Sequence, residues 1–229
     1  MTLGYWNHNV HYHPLVLDAV PDGCRTALDV GCGEGLLVRK LARQARSVTG
    51  VDSSSEMIRL ARERSAGLSR VTFSEADFLD GASRGPLAAG TYDFVSAVAV
   101  VHHVEFERAV KAMVRLLAPG GRLVIIGLAR NRTAQDWIIS GAGVPAARVN
   151  ARRHGGRTDP DGMPVRMPTM AWGEVRREAR RLLPGCRFRR HLLWRYSLIW
   201  DKPAEEAKSV MTGEQGQFTG DPRESNVTA

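Results

Sequence analysis

The chain has 229 residues, 43% of them hydrophobic and 24% charged, with a formal net charge of +8. That balance suits one globular domain with a substantial core and excludes a low-complexity chain. No apolar run is long enough to cross a bilayer and no basic-then-apolar leader opens the chain, so neither a membrane partner nor secretion is expected.

Cys24, Cys32 and Cys186 are odd in number and widely spaced, which suits a reducing cytoplasm better than a disulfide framework. The charge is uneven. Residues 130–195 hold 15 Lys and Arg against 5 Asp and Glu, while the rest of the chain holds 17 against 19. Such a basic region serves nucleic acid, an anionic substrate, or only a solvated helix face.

In chain order, Pro14 suits the first turn of a short helix over 15–20. Residues 26–30 read as a buried strand running into glycines, then 36–45 as a helix. A second strand at 47–51 leads to a helix over 55–64, with serines available to cap it. Strands follow at 70–74 and 92–98, then a helix at 105–117 stopped by Ala-Pro-Gly-Gly, then a strand at 122–126. Strand and helix alternating at short spacing predict a parallel sheet covered by helices on both faces.

The rhythm breaks at 129. Residues 129–168 read as a Gly-, Pro- and Arg-containing insertion with a turn signal at 159–162 and a helix around 133–141. A helix over 172–183 is followed by strands at 187–193 and 196–200. The connection between them is so short that they must pair antiparallel. Residues 202–229 are polar and expected to be disordered.

Three features carry chemistry. Gly31, Gly33 and Gly35 lie where a strand passes into a helix, so that a small ligand can approach backbone at the sheet's carboxyl edge. Asp52 ends the next strand about twenty residues on, the spacing at which a carboxylate accepts both hydroxyls of a ribose. Asp77 follows the third strand and can accept from an adenine amino group. The loop is G-x-G-x-G and not G-x-G-x-x-G, and a hairpin stands where a second nucleotide half would be, which argues against a nicotinamide enzyme.

These segments, L-D-V-G-C-G-E-G at 28–35, V-D-S at 51–53, E-A-D-F at 75–78, the stretch 92–104 and L-L-A-P-G-G-R-L-V-I-I at 116–126, resemble the class I S-adenosylmethionine-dependent methyltransferases of the small-molecule type. The resemblance implies a Rossmann-like, doubly wound, seven-stranded α/β sheet, mostly parallel with an antiparallel C-terminal hairpin. It implies an N-terminal lid segment and helix at 1–25, a methyltransferase domain at 26–201, and a substrate cap formed by the 129–168 insertion. S-adenosyl-L-methionine is the implied cofactor. Asp29 and the loop of Gly31, Cys32, Gly33 and Gly35 would hold its methionine portion. Asp52 would bind the ribose with Ser53 and Met57 beside the adenosine, and Asp77 and Phe78 would meet the adenine. Val98 and Ala99 would line the methyl-transfer face.

The reaction implied is transfer of a methyl group to an O, N or C nucleophile of a small metabolite. His102 and His103 follow the fourth strand and are candidate bases. The rivals are an RNA methyltransferase using the basic region and a non-catalytic cofactor-binding partner protein. Neither acceptor nor oligomeric state is legible. His8, His11 and His13 share one short aromatic stretch. With no fourth ligand elsewhere, no metal is expected there. The stretch is expected to close over the cofactor, with Tyr5, Trp6 and Tyr12 shielding the sulfonium and His11 or His13 facing the substrate.

Overall fold

The computed structural model describes residues 5–80, 87–158 and 166–204. The 159–162 turn and all but the start of the polar tail lie outside the described residues. The strands are β1 (Thr26–Val30), β2 (Ser47–Asp52), β3 (Val71–Glu75), β4 (Tyr92–Val98), β5 (Leu117–Gly127), β6 (Arg187–His191) and β7 (Arg195–Asp201). The helices are α1 (His13–Asp18), α2 (Leu36–Leu41), α3 (Ser55–Arg64), α4 (Phe106–Leu116), α5 (Ala134–Arg153) and α6 (Trp172–Leu182).

One seven-stranded sheet runs in the order β3-β2-β1-β4-β5-β7-β6. Strands β3 to β5 are parallel, and β7 pairs antiparallel with both β5 and β6. The fold is therefore a Rossmann-like α/β sheet with an antiparallel C-terminal hairpin. Chain order reverses between β1 and β4, and that crevice is where ligands settle in such sheets.

Both sheet faces are buried because the central strands are apolar at successive positions. Leu28, Val95, Leu123 and Ile125 face α4 and α6 on one side. Ala27, Phe94, Val124 and Ile126 face α1, α2 and α3 on the other. Burying a Leu, Ile or Phe stabilises by about 1.5–3 kcal/mol, so this two-sided alternation carries most of the fold.

The ends of the helices follow local chemistry. Pro14 stands in the first turn of α1. The hydroxyl of Ser54 accepts from Met57 N–H at 3.3 Å to cap α3, and the Glu105 carboxylate accepts from Glu107 and Arg108 N–H at 2.8 Å to cap α4. At the other end of α4 Lys202 donates to the carbonyls of Val114 and Leu117.

Several elements differ from the sequence expectation: β5 begins at Leu117 and runs through the Ala-Pro-Gly-Gly expected to separate it from α4, and β6 ends at His191. Helix α2 closes at Leu41, and 42–45 continue as turns. More substantially, the insertion holds a helix of 20 residues that runs through Pro145. Thr133 and Asp136 form a reciprocal cap at its start. Pro145 lies on the exposed face of the helix.

Candidate active site

At the carboxyl edge of the sheet lies an open cleft, with about 510 Å³ of space between its walls counted out into open solvent. Its floor is Asp29 with Gly31, Cys32 and Gly33, while Met57 and Val98 close one side. The N-terminal segment supplies Asn7, Asn9, Val10 and His13 to the other.

The loop's conformation depends on glycine at two points. Gly31 (φ 65°) passes so close to Val100 that an added Cβ would lie 2.3 Å from its Cγ2. Gly33 (φ 53°) has nothing within 4 Å of such an atom, so its open side is available to a ligand. The Gly33 N–H donates to Asp52 Oδ2 at 2.9 Å, and Asp52 Oδ1 accepts from Ser54 N–H at 2.9 Å. Asp52 thus ties the loop to the start of α3 and keeps lone pairs for further donors.

Asp29 is buried against its β4 neighbour Ser96, whose hydroxyl donates to Oδ1 at 2.7 Å. Burial raises its carboxyl to about 7; the charge of Asp52 adds to this and the Ser96 hydrogen bond opposes it. Burial, aided by Asp29 and Asp52, also pushes the Cys32 thiol far up, so Cys32 stays protonated and packs as a small residue. Gly35 (φ 78°) caps α2 behind the loop, with Phe73 close against it.

The other expected residues are more dispersed. Ser53 is exposed between Asp52 and the cap Ser54. Asp77 is exposed and accepts from Leu79 N–H in its own turn at 2.9 Å. Phe78 is buried in the core beside Val30 and Val51. Ala99 takes φ 58°, a left-handed conformation unfavourable for alanine, and its N–H donates to Ile126 O at 2.7 Å.

Past Ala99, Val101 and His102 line a second, shallow recess with Phe106, Thr169, Met170 and Tyr196. Val100 stands between the two linings. His102 packs against His103 with ring centroids 4.0 Å apart. Its buried Nδ1 has no hydrogen-bond partner among the described residues. Burial, with His103 and Arg195 adding charge repulsion, lowers His102 to about 4. His103 is also lowered, by burial and by Arg166.

In the histidine stretch the residues divide differently from expectation. Tyr12 is buried, and its hydroxyl accepts from Leu193 N–H of the β6–β7 turn at 3.2 Å. The His11 ring lies edge-on to Trp6 and Tyr12 and is not part of the cleft lining. Trp6 stacks on His154 at the end of α5, with centroids 5.4 Å apart. These rings hold the segment in place, and His13 is the histidine that reaches the cleft. The segment is also held by buried Arg195, whose Nε and Nη2 donate to Asn9 Oδ1 at 3.1 and 2.7 Å. Sequence reasoning missed Asn9, Lys40 and Arg195, because nothing local marks a residue whose partner lies far along the chain. Among the described residues no group of His, Cys, Asp and Glu is arranged to hold a metal.

A glycine loop at a topological switch point, with an acid ending the neighbouring strand, defines an α/β protein that binds a nucleoside-bearing ligand. The family described as Methyltransferase domain matches residues 28–125. An uncharacterised methyltransferase of Mycobacterium bovis is 32% identical over 206 residues, which cover 86% of this chain and 98% of that protein. The ubiquinone biosynthesis O-methyltransferase of Schizosaccharomyces pombe is 34% identical over 114 residues, 49% of this chain and 41% of that one. In fold, the chain is similar to the N-methyltransferase NodS of Bradyrhizobium japonicum, solved with S-adenosyl-L-homocysteine. The TM-score is 0.55 at 19% identity, covering 86% of this chain and 89% of that one. The chain belongs to the class I S-adenosylmethionine-dependent methyltransferases. Its residues fit that cofactor: the open side of Gly33, the free lone pairs of Asp52 and the buried acid Asp29 suit a ribose and a cationic amino-acid arm.

Proposed function

We propose that this methyltransferase acts in the cytoplasm on a small molecule presenting a hydroxyl or amine, and that the acceptor lies in the recess beside His102. The single observation that carries the reading is the buried, unpartnered Nδ1 of His102, a residue lining a recess that also holds Thr169 and Tyr196 among apolar side chains. A polar atom left unpaired in such a place calls for a partner, and a donor on the acceptor molecule would provide it. The unpaired cysteines support a reducing compartment.

When bound, the cofactor supplies an electrophilic methyl on a sulfonium. The chain's own part is to bind, align and desolvate. In this reading Asp29, Gly31, Cys32 and Gly33 cradle the methionine arm and Asp52 accepts from the ribose hydroxyls. Ser53, Met57, Asp77 and Phe78 bound the adenosine side, and Val98 and Ala99 lie at the transfer face. His102 stays neutral at ordinary pH because of its lowered proton affinity, so it accepts a hydrogen bond from the nucleophile and takes its proton as the bond to carbon forms. His103 packs against His102 and orients it.

The test is to incubate the protein with methyl-labelled cofactor and a pool of small phenols, alcohols and amines, and to identify the labelled product. His102→Asn should lower kcat by about 10²–10⁴-fold on that product while leaving cofactor affinity intact. Equal turnover by wild type and His102→Asn would remove the base, and label found only in RNA would remove the small-molecule reading.

A further inference from the structure

Helix α5 is oriented opposite to an ordinary surface helix. Its buried residues are Asp136, Ser140 and Gly143, polar or small. Its large apolar residues point outward: Trp137 is 66% exposed, Ile138 74%, Val144 41% and Val149 45%. At helical spacing Trp137, Gly141, Val144 and Arg148 share one outer row, with Ile138, Pro145, Val149 and Arg152 beside it.

The inward orientation is firmly set. The Asp136 carboxylate accepts from the N–H groups of Arg132 and Thr133 and from Arg190, and is held at about 2 despite the opposing effect of burial. Ser140 O accepts from Trp194 Nε1 at 3.1 Å, and Gly143 meets the Leu192 carbonyl so closely that no side chain fits. The helix therefore cannot roll its apolar face inward without breaking these contacts.

Among the described residues of this surface the charge is of one sign. Arg148, Arg152 and Arg153 are all exposed. The one acid in 134–158 is Asp136, which is buried and already paired. We propose that the outer face of α5 docks on an anionic lipid bilayer, with Trp137, Ile138 and Val144 entering the headgroup boundary and the arginines engaging lipid phosphates. A bilayer surface meets both halves of the face at once: apolar depth for the first turns and anionic oxygens for the last. A second copy meeting through the same face brings no exposed acid from 134–158 to the arginines. RNA would use the arginines but leave Ile138, Val144 and Val149 against water. No helix among the described residues is long and apolar enough to cross a membrane, so the docking is peripheral. The sequence expectation of no membrane partner rested on the absence of a spanning segment, and a surface-docking helix lies beyond that test.

The experiment is flotation of the full chain with vesicles of phosphatidylcholine alone or with about one-third phosphatidylglycerol. Wild type should float with the anionic vesicles, only weakly with neutral ones, and less as salt rises. Trp137→Ser/Ile138→Ser and Arg148→Glu/Arg152→Glu should each lower partitioning about tenfold or more. Their S-adenosylmethionine affinity by calorimetry should be unchanged, which shows that they fold. Absence of flotation at low salt, or variants that float like wild type, overturns the proposal. So does a dimer that Trp137→Ser/Ile138→Ser dissociates in solution without vesicle binding, or RNA binding that depends on the arginines alone.

Discussion

The Lys40 ammonium lies 3.2 Å from Nδ1 of His13, and that contact decides which edge of the imidazole can donate into the cleft. An ammonium only donates, so Nδ1 accepts and the ring proton belongs on Nε2. Burial first, and then the Lys40 charge, lower His13 to about 3. In ¹⁵N spectra of the histidine rings, His13 should remain the neutral Nε2–H form down to about pH 4, and Lys40→Met should raise its titration point. A His13 that titrates near its ordinary value in wild type would refute the pairing.

The same shift has a consequence for stability. Unfolded, His13 titrates near 6.5, and folded it is held near 3. The folded state therefore binds fewer protons in that window, and stability is full above pH 6.5 and falls as pH drops toward 3. His102, lowered to about 4, acts with the same sign. Urea midpoints should decline below pH 6.5, and the decline should be shallower in His13→Gln.

Asp29 has the opposite sign. Its carboxyl is raised to about 7, so the stability tied to its protonation is lost as pH rises from the ordinary carboxylate value of 3.8 through 7. Without cofactor, Asp29→Asn should melt above wild type at pH 8. A cationic ligand group beside Asp29 favours the ionised form, so cofactor affinity should weaken up to about tenfold per unit below pH 7 and level off above it. Calorimetry in buffers of different ionisation heat should show proton release on binding near pH 6. A pH-independent affinity would separate Asp29 from the cofactor's cation.

Gly31→Ala tests the floor of the cleft. The left-handed φ costs about 1–2 kcal/mol for alanine. Overpacking against Val100, whose Cγ2 would lie 2.3 Å away, adds about 1–3 kcal/mol. Val100→Ala in the same chain should recover the packing part and leave the backbone part, as read from urea denaturation. Equal stability of the single and double variants would mean that Val100 moves aside freely.

Asp52→Ala should weaken S-adenosylmethionine binding about a hundredfold, the loss expected for two hydrogen bonds to a charged acceptor. It also releases Gly33 and Ser54 N–H, so the loop should show faster amide exchange in the variant. An unchanged affinity would remove Asp52 from the ribose contact.

Most strand boundaries were legible because each central strand is a short apolar run closed by breakers. Thr26–Val30 and Tyr92–Val98 show this directly, and the near-absent connection before Arg195 could only be a hairpin. The placement of the glycine loop and Asp52 at the sheet's carboxyl edge was legible for the same reason, since it depends on position along one strand–turn–helix unit. Helix α5 runs past the expected 133–141 and through Pro145, ordinarily a local stop signal, because tertiary contacts at Asp136, Ser140 and Gly143 hold it.

What the sequence by itself determined is the alternation of elements and which residues stand at the sheet's carboxyl edge, because periodicity, glycine and strand-end acids act over a few residues. What only the tertiary structure decided is which side chains share a cavity and which face of a helix meets water. His13 reaches the cleft while His11 does not, because Tyr12 is drawn to Leu193 and Asn9 to Arg195, partners more than 180 positions away. Trp137 and Ile138 face solvent because Asp136 and Ser140 are committed to the hairpin. Contacts of that range depend on how the elements pack, and no local pattern encodes them.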